Sequence, residues 1–67
     1  MPQQQPVDVE GAERLKIQGN EFYTKRDYNA AHRKYTEAIK KDPQNPVLYA
    51  NRAAALLALK RRVLSLP

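Results

Sequence analysis

Lys16 and Asn20 are the residues whose types and spacing best suit binding chemistry. They lie four residues apart in the stretch RLKIQGNEFY, and residues at that spacing project from the same face of a helix. The lysine supplies an ammonium group and the asparagine supplies neutral amide donors, a combination that can bind a carboxylate. Their face lies about 100° around the helix from the stripe of Leu15, Gly19 and Phe22. Binding and packing would therefore use different faces.

Catalysis and metal binding find little support in the chain. His32 and Glu37 are five residues apart within a predicted helix, so they do not share a face and do not suggest an acid–base pair. The chain has one histidine and no cysteine, which argues against a His/Cys metal site. We predict a protein that is not an enzyme and needs no cofactor or metal.

The net charge of +5 could favour nucleic acid, an anionic membrane or an acidic peptide. The basic run KRR at 60–62 has no accompanying groove-reading motif or stacking aromatics, so we interpret it as a solvated helix end and do not expect nucleic-acid binding. No apolar run approaches the roughly 20 residues of a membrane span, and the polar start MPQQQPVDVE is not a secretory signal. These features predict a cytoplasmic protein without membrane contact.

The sequence predicts an all-α fold, with an antiparallel helical hairpin followed by a third helix. Residues 1–8 form a disordered tail rich in proline and glutamine. The first helix begins near Val9 and runs to about residue 26; Asp8 and Asp27 are candidate N-caps. The second helix ends in KKDPQNP, because proline cannot continue it. Asn45 caps the third helix and Pro46 opens it; a helical segment therefore covers 9–62.

Pairs of residues 34 positions apart are alike in size: Leu15 and Tyr49, Gly19 and Ala53, Phe22 and Leu56. That offset is the period of the tetratricopeptide repeat, and the sequence resembles this family. A first repeat would cover about 12–45 and a partial second repeat 46–62. The resemblance assigns a packing role to residues that fill, or leave room in, the contact between paired helices: Leu15, Gly19, Phe22, Tyr28, Ala31, Tyr35, Ala38 and Pro43.

Within that family, the chain is most similar to the opening repeat of co-chaperones that carry a dicarboxylate clamp. The resemblance implies that Lys16, Asn20 and Asn51 bind a peptide carboxylate, and Tyr23 could line the groove. The implied partner is the acidic C-terminal tail of cytosolic heat-shock chaperones of the seventy- or ninety-kilodalton class, which ends in Glu-Glu-Val-Asp. A basic groove that receives an acidic tail also fits the net charge.

The second repeat departs from the family pattern after Leu59. The chain reads KRRVLSLP, and 63–67 are predicted to form an irregular tail, as expected of a truncated product. Two charged clamp residues of the family have no match here, which would cost about 3 kcal/mol or more of binding free energy, so binding should be weak. Helix three would expose apolar residues that a fourth helix covers (Leu48, Leu56, Leu57, Leu59). The alternative is therefore an interaction fragment that binds no peptide and associates through helix three.

Overall fold

Three helices make up the part of the chain that the structure describes. A computed structural model describes residues 6–64, with α1 at Val9–Thr24, α2 at Tyr28–Lys41 and α3 at Pro46–Leu64. Residues 6–64 contain no strand, and the predicted all-α fold is confirmed. The helix α2 packs against both α1 and α3, so it forms the shared centre of the fold.

Each helix begins at a capping side chain that the sequence predicted. Asp8 accepts a hydrogen bond from the Gly11 N–H at 2.8 Å, and Asp27 accepts from the Ala30 N–H at 3.2 Å. Asn45 accepts from the Val47 N–H at 3.0 Å. These short polar side chains pair with backbone donors that have no partner inside the helix.

The predicted disordered tail at 1–8 was wrong at its last residue. The backbone N–H of Asp8 donates to the Lys41 carbonyl at 2.9 Å, and its carboxylate lies 3.8 Å from Lys41 Nζ. Asp8 therefore ties the start of α1 to the end of α2. Residues 1–5 lie outside the described residues.

The turn between α1 and α2 reverses the chain without proline or glycine. Arg26 adopts a left-handed conformation with φ of 66°. Its N–H donates to the Tyr23 carbonyl at 3.0 Å, and the Asp27 N–H donates to the Phe22 carbonyl at 2.9 Å. This is the Schellman pattern, which satisfies the last carbonyls of a helix. Because Asp27 also caps α2, the turn needs only three residues.

Two clusters of buried residues hold the helices together, and α2 contributes to both. The first contains Ala12, Ala38, Ile39 and Leu48, with Leu15 packed against it. The second contains Ala31, Tyr35 and Ala55, with Phe22 packed against it. Four of the seven buried residues in these clusters are alanine, and these small side chains let the helix axes approach closely.

The remaining predicted packing residues lie at the margins of these clusters. Gly19 is buried. Tyr28 is half-buried, and its ring meets that of Tyr23 edge to face, with centroids 5.1 Å apart. Pro43 is exposed; its carbonyl accepts a hydrogen bond from the Tyr49 hydroxyl at 2.9 Å.

The third helix is longer than predicted. It continues to Leu64, so the irregular tail expected from residue 63 is helical in its first two residues, and 65–67 lie outside the described residues. Leu56 and Leu57 are 51% and 55% exposed, as expected. The expectation for Leu48 was wrong, because it is only 1% exposed and packs in the first cluster. Among the described residues, no helix is long and apolar enough to cross a membrane.

Candidate functional site

A small cavity lies between α1 and α3, and two of the three predicted carboxylate-binding residues meet there. Its volume is about 290 Å³, and its lining comprises Asn20, Tyr23, Tyr35, Asn51 and Ala54. Asn20 and Tyr23 come from α1, Asn51 and Ala54 come from α3, and Tyr35 comes from α2 between them. The structure therefore brings together Asn20, Asn51 and the predicted groove residue Tyr23.

Tyr35 orients the Asn20 amide. Its hydroxyl donates to Asn20 Oδ1 at 2.5 Å, which turns the amide N–H donors of Asn20 away from the tyrosine. Burial, and to a lesser degree the neighbouring Tyr23, raise the pKa of Tyr35 above its ordinary value of 10.0. Tyr35 therefore stays protonated at neutral pH and keeps the proton that it donates to Asn20.

Gly19 lets Tyr35 reach this position. A Cβ atom at Gly19 would lie 2.6 Å from Tyr35 Cε1 and 2.8 Å from its Cδ1, well inside van der Waals contact. The glycine costs the helix about 1 kcal/mol relative to alanine, but it makes room for the ring that crosses above it. Its neighbour Asn20 then meets the hydroxyl at the end of that ring.

Lys16 lies one turn before Asn20 on α1 but does not line the small cavity. Its ammonium is 3.1 Å from Glu13 Oε2, and their side chains are 24% and 53% exposed. An ion pair this open to solvent is worth at most about 1 kcal/mol. A carboxylate ligand could therefore exchange with Glu13 at small cost.

Asn51 is half-buried and occupies the α3 wall of the cavity. The next residue, Arg52, places its guanidinium carbon 5.7 Å from the centroid of the Tyr49 ring, a cation–π contact that holds the arginine against α3. Arg52 does not line the cavity, and this contact gives it a packing role on the surface of α3.

A second, larger cavity opens beside the first at the α1–α2 turn. Its volume is about 560 Å³. Tyr23 and Ala54 line both cavities, so the two adjoin, and we refer to them together as the groove between α1 and α3. We call the small cavity the asparagine end and the large one the arginine end, because Arg26, Arg61 and Arg62 line the latter.

Sequence reasoning missed two features of this groove. It gave Tyr35 a packing role only, although a buried tyrosine usually finds a hydrogen-bond partner for its hydroxyl; that rule could have pointed to a nearby amide. It also gave the run at 60–62, which is exposed in the last turns of α3 as predicted, no tertiary contact. Arg62 Nη1 donates to the Arg26 carbonyl at 3.0 Å, a contact between residues 36 positions apart that no local pattern predicts.

The three helices, the 34-residue repeat and the groove between the first and third helices define a helical-repeat protein whose groove is lined in part by asparagine and arginine side chains. A family profile described as "TPR repeat" matches residues 19–60. The chain belongs to the TPR repeat family, which confirms the resemblance seen in the sequence.

Individual relatives are co-chaperone TPR proteins. The chain is 49% identical over 53 residues to stress-induced-phosphoprotein 1 of Caenorhabditis elegans, an alignment that covers 79% of this chain and 17% of the relative. It is 57% identical over 49 residues to small glutamine-rich tetratricopeptide repeat-containing protein 2 of Saccharomyces cerevisiae, covering 73% and 14%. For human DnaJ homolog subfamily C member 7 the identity is 52% over 50 residues, covering 75% and 10%.

The chain thus spans between 10% and 17% of the length of these relatives. No solved structure matches it at a significant level. The relatives support assignment of this segment as a protein-interaction module.

Proposed function

We propose that this chain binds the acidic C-terminal tail of cytosolic heat-shock chaperones through Lys16, Asn20 and Asn51, as the clamp-type resemblance implies. The observation that carries the proposal is the meeting of Asn20 and Asn51 in one cavity between α1 and α3. Carboxylates accept hydrogen bonds from amide N–H groups and from ammonium groups. The groove offers the amides of Asn20 and Asn51, and the ammonium of Lys16 lies one helical turn before Asn20 on α1. Similarity to co-chaperone TPR proteins supports the same partner class.

The hydrogen bond from Tyr35 supports this role for Asn20. A carboxylate only accepts hydrogen bonds, so a ligand needs the amide nitrogen rather than the amide oxygen. The Tyr35 hydroxyl occupies Oδ1 and so presents Nδ2 to the groove. The asparagine is therefore oriented before the ligand arrives, which lowers the ordering cost of binding.

Binding by these residues alone is proposed to be weak. Lys16, Asn20 and Asn51 match three of the five clamp positions that the resemblance implies. Each missing hydrogen bond to a charged group corresponds to about 1.5–3 kcal/mol, which is about tenfold to a hundredfold in affinity. A titration should therefore extend to millimolar peptide.

The test is a fluorescence-anisotropy titration with a labelled peptide ending in Glu-Glu-Val-Asp. Lys16→Ala and Asn20→Ala should each weaken binding by about tenfold. Lys40→Ala and Asn29→Ala are matched controls, because both residues are exposed on α2 and line neither cavity. Equal loss in variants and controls, or no binding at millimolar peptide, would contradict the proposal.

Glu13→Gln should instead increase the affinity of the same site for the peptide. The substitution removes the carboxylate that lies 3.1 Å from the Lys16 ammonium. Because an exposed ion pair is worth about 0.2–1 kcal/mol, affinity should rise by about 1.5-fold to fivefold. If Lys16 does not touch the ligand, this variant should gain no more affinity than Glu37→Gln, a charge-matched control at an exposed residue of α2.

A second candidate function is self-association through the exposed face of α3. Leu56 and Leu57 are half exposed, and Leu64 is 82% exposed. Sedimentation velocity over a range of concentrations tests this candidate. Leu56→Glu should abolish a concentration-dependent oligomer, whereas Val47→Glu, at an exposed residue in the first turn of α3, should leave it intact. A monomer at all concentrations excludes it.

A further inference from the structure

The proposed function does not use the arginine end of the groove. Arg26 comes from the α1–α2 turn, while Arg61 and Arg62 come from the last turns of α3. Tyr23 and Tyr28 form the aromatic part of the same lining. Guanidinium groups on two separate elements therefore border one cavity of about 560 Å³.

The backbone fixes one of these arginines in place. Arg62 Nη1 donates to the Arg26 carbonyl at 3.0 Å, which holds the end of α3 against the turn. This bond uses one of the five N–H groups of the guanidinium. A planar guanidinium matches the geometry of a carboxylate, with which it forms two parallel hydrogen bonds.

Competing negative charge is small at this end. None of the described residues that line the two cavities is acidic. The acidic residue of the turn, Asp27, accepts the N–H of Ala30 as the cap of α2. The lining of the large cavity therefore offers the positive charge of Arg26 and Arg62 with no acidic residue in the same lining.

The spacing along α1 sets the length of chain that could reach both ends. Thr24, the last residue of α1, follows Asn20 by four residues and Lys16 by eight, which is about 6 Å and about 12 Å along the helix. Arg26 follows Thr24 by two residues in the turn, so it lies on the order of 9 Å and 15 Å beyond Asn20 and Lys16. An extended peptide advances about 3.3 Å per residue. A peptide with its terminal carboxylate near Lys16 and Asn20 would reach Arg26 with a residue three to five positions earlier.

We infer that the arginine end binds an acidic side chain three to five residues before the C-terminus of an extended acidic peptide whose terminal carboxylate lies at the asparagine end. This inference rests on the proposed function for the direction of the peptide. It assigns Arg26 and Arg62 a recognition role at the end of the groove opposite Lys16. Charge complementarity selects an acidic peptide over a neutral one.

The experiment measures how tightly the 67-residue chain binds two labelled hexapeptides. One is Glu-Glu-Glu-Glu-Val-Asp and the other is Gln-Gln-Gln-Glu-Val-Asp, so they differ only three to five residues before the terminus. The wild-type chain should bind the first about twofold to thirtyfold more tightly, the range for two partly exposed ion pairs. Because the protein is unchanged, this comparison does not depend on whether a variant folds.

The double variant Arg26→Gln/Arg62→Gln should bind the two peptides equally well. The double variant Arg14→Gln/Arg33→Gln carries the same charge change at exposed residues outside both cavities and should keep the wild-type preference. Equal loss in both double variants means that only long-range charge is involved and overturns the inference. A wild-type chain without preference overturns it too.

A third arm separates this inference from the proposed function. Both peptides are also measured with an amidated C-terminus and with the Lys16→Ala variant. If amidation and Lys16→Ala have no effect while the preference for glutamate persists and needs Arg26 and Arg62, the terminal-carboxylate site fails and the arginine end stands. If neither peptide binds at millimolar concentration, both are overturned.

Discussion

The first and third helices carry the same repeat pattern, yet their equivalent residues have different surroundings. Gly19 is buried beneath the Tyr35 ring, whereas Ala53 is exposed. Phe22 packs on the second buried cluster, whereas Leu56 is 51% exposed. The difference teaches that a repeat position specifies a suitable side chain, but a neighbouring helix must be present for that side chain to be buried.

The two faces of α3 also differ in burial, because only one of them meets another helix. Leu48 and Ala55 lie on the side that meets α2 and are buried. That side supports the fold, while Leu56, Leu57 and Leu64 leave an apolar surface exposed. Helix α1 needs one neighbour to cover its signature residues, and α2 supplies that cover.

The helices also end differently at equivalent positions. Helix α1 stops at Thr24, and Arg26 then adopts the left-handed conformation before Asp27 caps α2. The residues 34 positions later are Lys60 and Arg61, which remain helical. Arginine lacks the short acceptor side chain that an N-cap needs, so the turn is not repeated and α3 continues.

The largest expected effect concerns Leu48, on the face of α3 that packs against α2. Leu48→Ala should lower the free energy of unfolding by about 2–5 kcal/mol, the usual cost of a buried leucine-to-alanine change. Leu56→Ala, on the half-exposed face, should cost less than about 1 kcal/mol. Urea denaturation followed by circular dichroism measures both, and similar losses would remove the distinction between the two faces of α3.

The next effect compares the small residues of the two repeats. Gly19→Leu should destabilise the fold by about 1–3 kcal/mol, because the new side chain must displace the Tyr35 ring. Ala53→Leu introduces the same side chain at the equivalent exposed position and should change stability by less than about 0.5 kcal/mol. Thermal melts give the two values; a Gly19→Leu protein as stable as wild type would refute the close approach to Tyr35.

A smaller effect concerns the hydroxyl that joins α2 to the groove. Tyr35→Phe should cost about 0.5–1.5 kcal/mol of stability, since it removes the hydrogen bond to Asn20. It should also weaken binding of the acidic peptide, because the Asn20 amide loses its fixed orientation. The control is the double variant Tyr35→Phe/Asn20→Ala. It should bind no worse than Asn20→Ala alone, because Tyr35 acts on binding through the Asn20 amide; Asn20→Asp is unsuitable as a control because it adds a charge.

Tyr35→Phe should also alter the dependence of stability on pH. The pKa of Tyr35 is raised in the folded protein above its ordinary value of 10.0, so folding holds this proton more tightly. Its contribution is fully present below pH 10.0 and is lost as pH rises through the folded-state pKa. The stability difference between wild type and Tyr35→Phe should therefore shrink above pH 10.0, and a difference that grows there would contradict the assignment.

The smallest effect tests the ends of the two helices. Arg26→Gly should stabilise the fold by up to about 1 kcal/mol, since glycine adopts a positive φ without steric cost. Lys60→Gly, at the equivalent position in α3, should instead lower stability by about 1 kcal/mol or fray the end of the helix. Chemical denaturation and backbone chemical shifts report both, and effects of the same sign would mean that the two helices end alike.

Local patterns in the sequence determined most of the fold. Asp8, Asp27 and Asn45 could be recognised as helix caps because capping is a contact between residues two or three positions apart. The small residues of the repeat could also be recognised from the sequence, because period and side-chain size are properties of the chain itself. Lys16, Asn20 and Asn51 as carboxylate-binding residues stay a prediction.

Only the tertiary structure decided which residues meet in the groove. Nothing in the local sequence shows that the Tyr35 hydroxyl reaches Asn20, that Arg62 reaches the Arg26 carbonyl, or that Leu48 is buried while Leu56 is not. The reason is physical: these contacts join residues on different helices, so they depend on how closely the helices approach and where α3 stops. Side-chain types and spacing establish what each residue can do, and packing establishes which partner it finds.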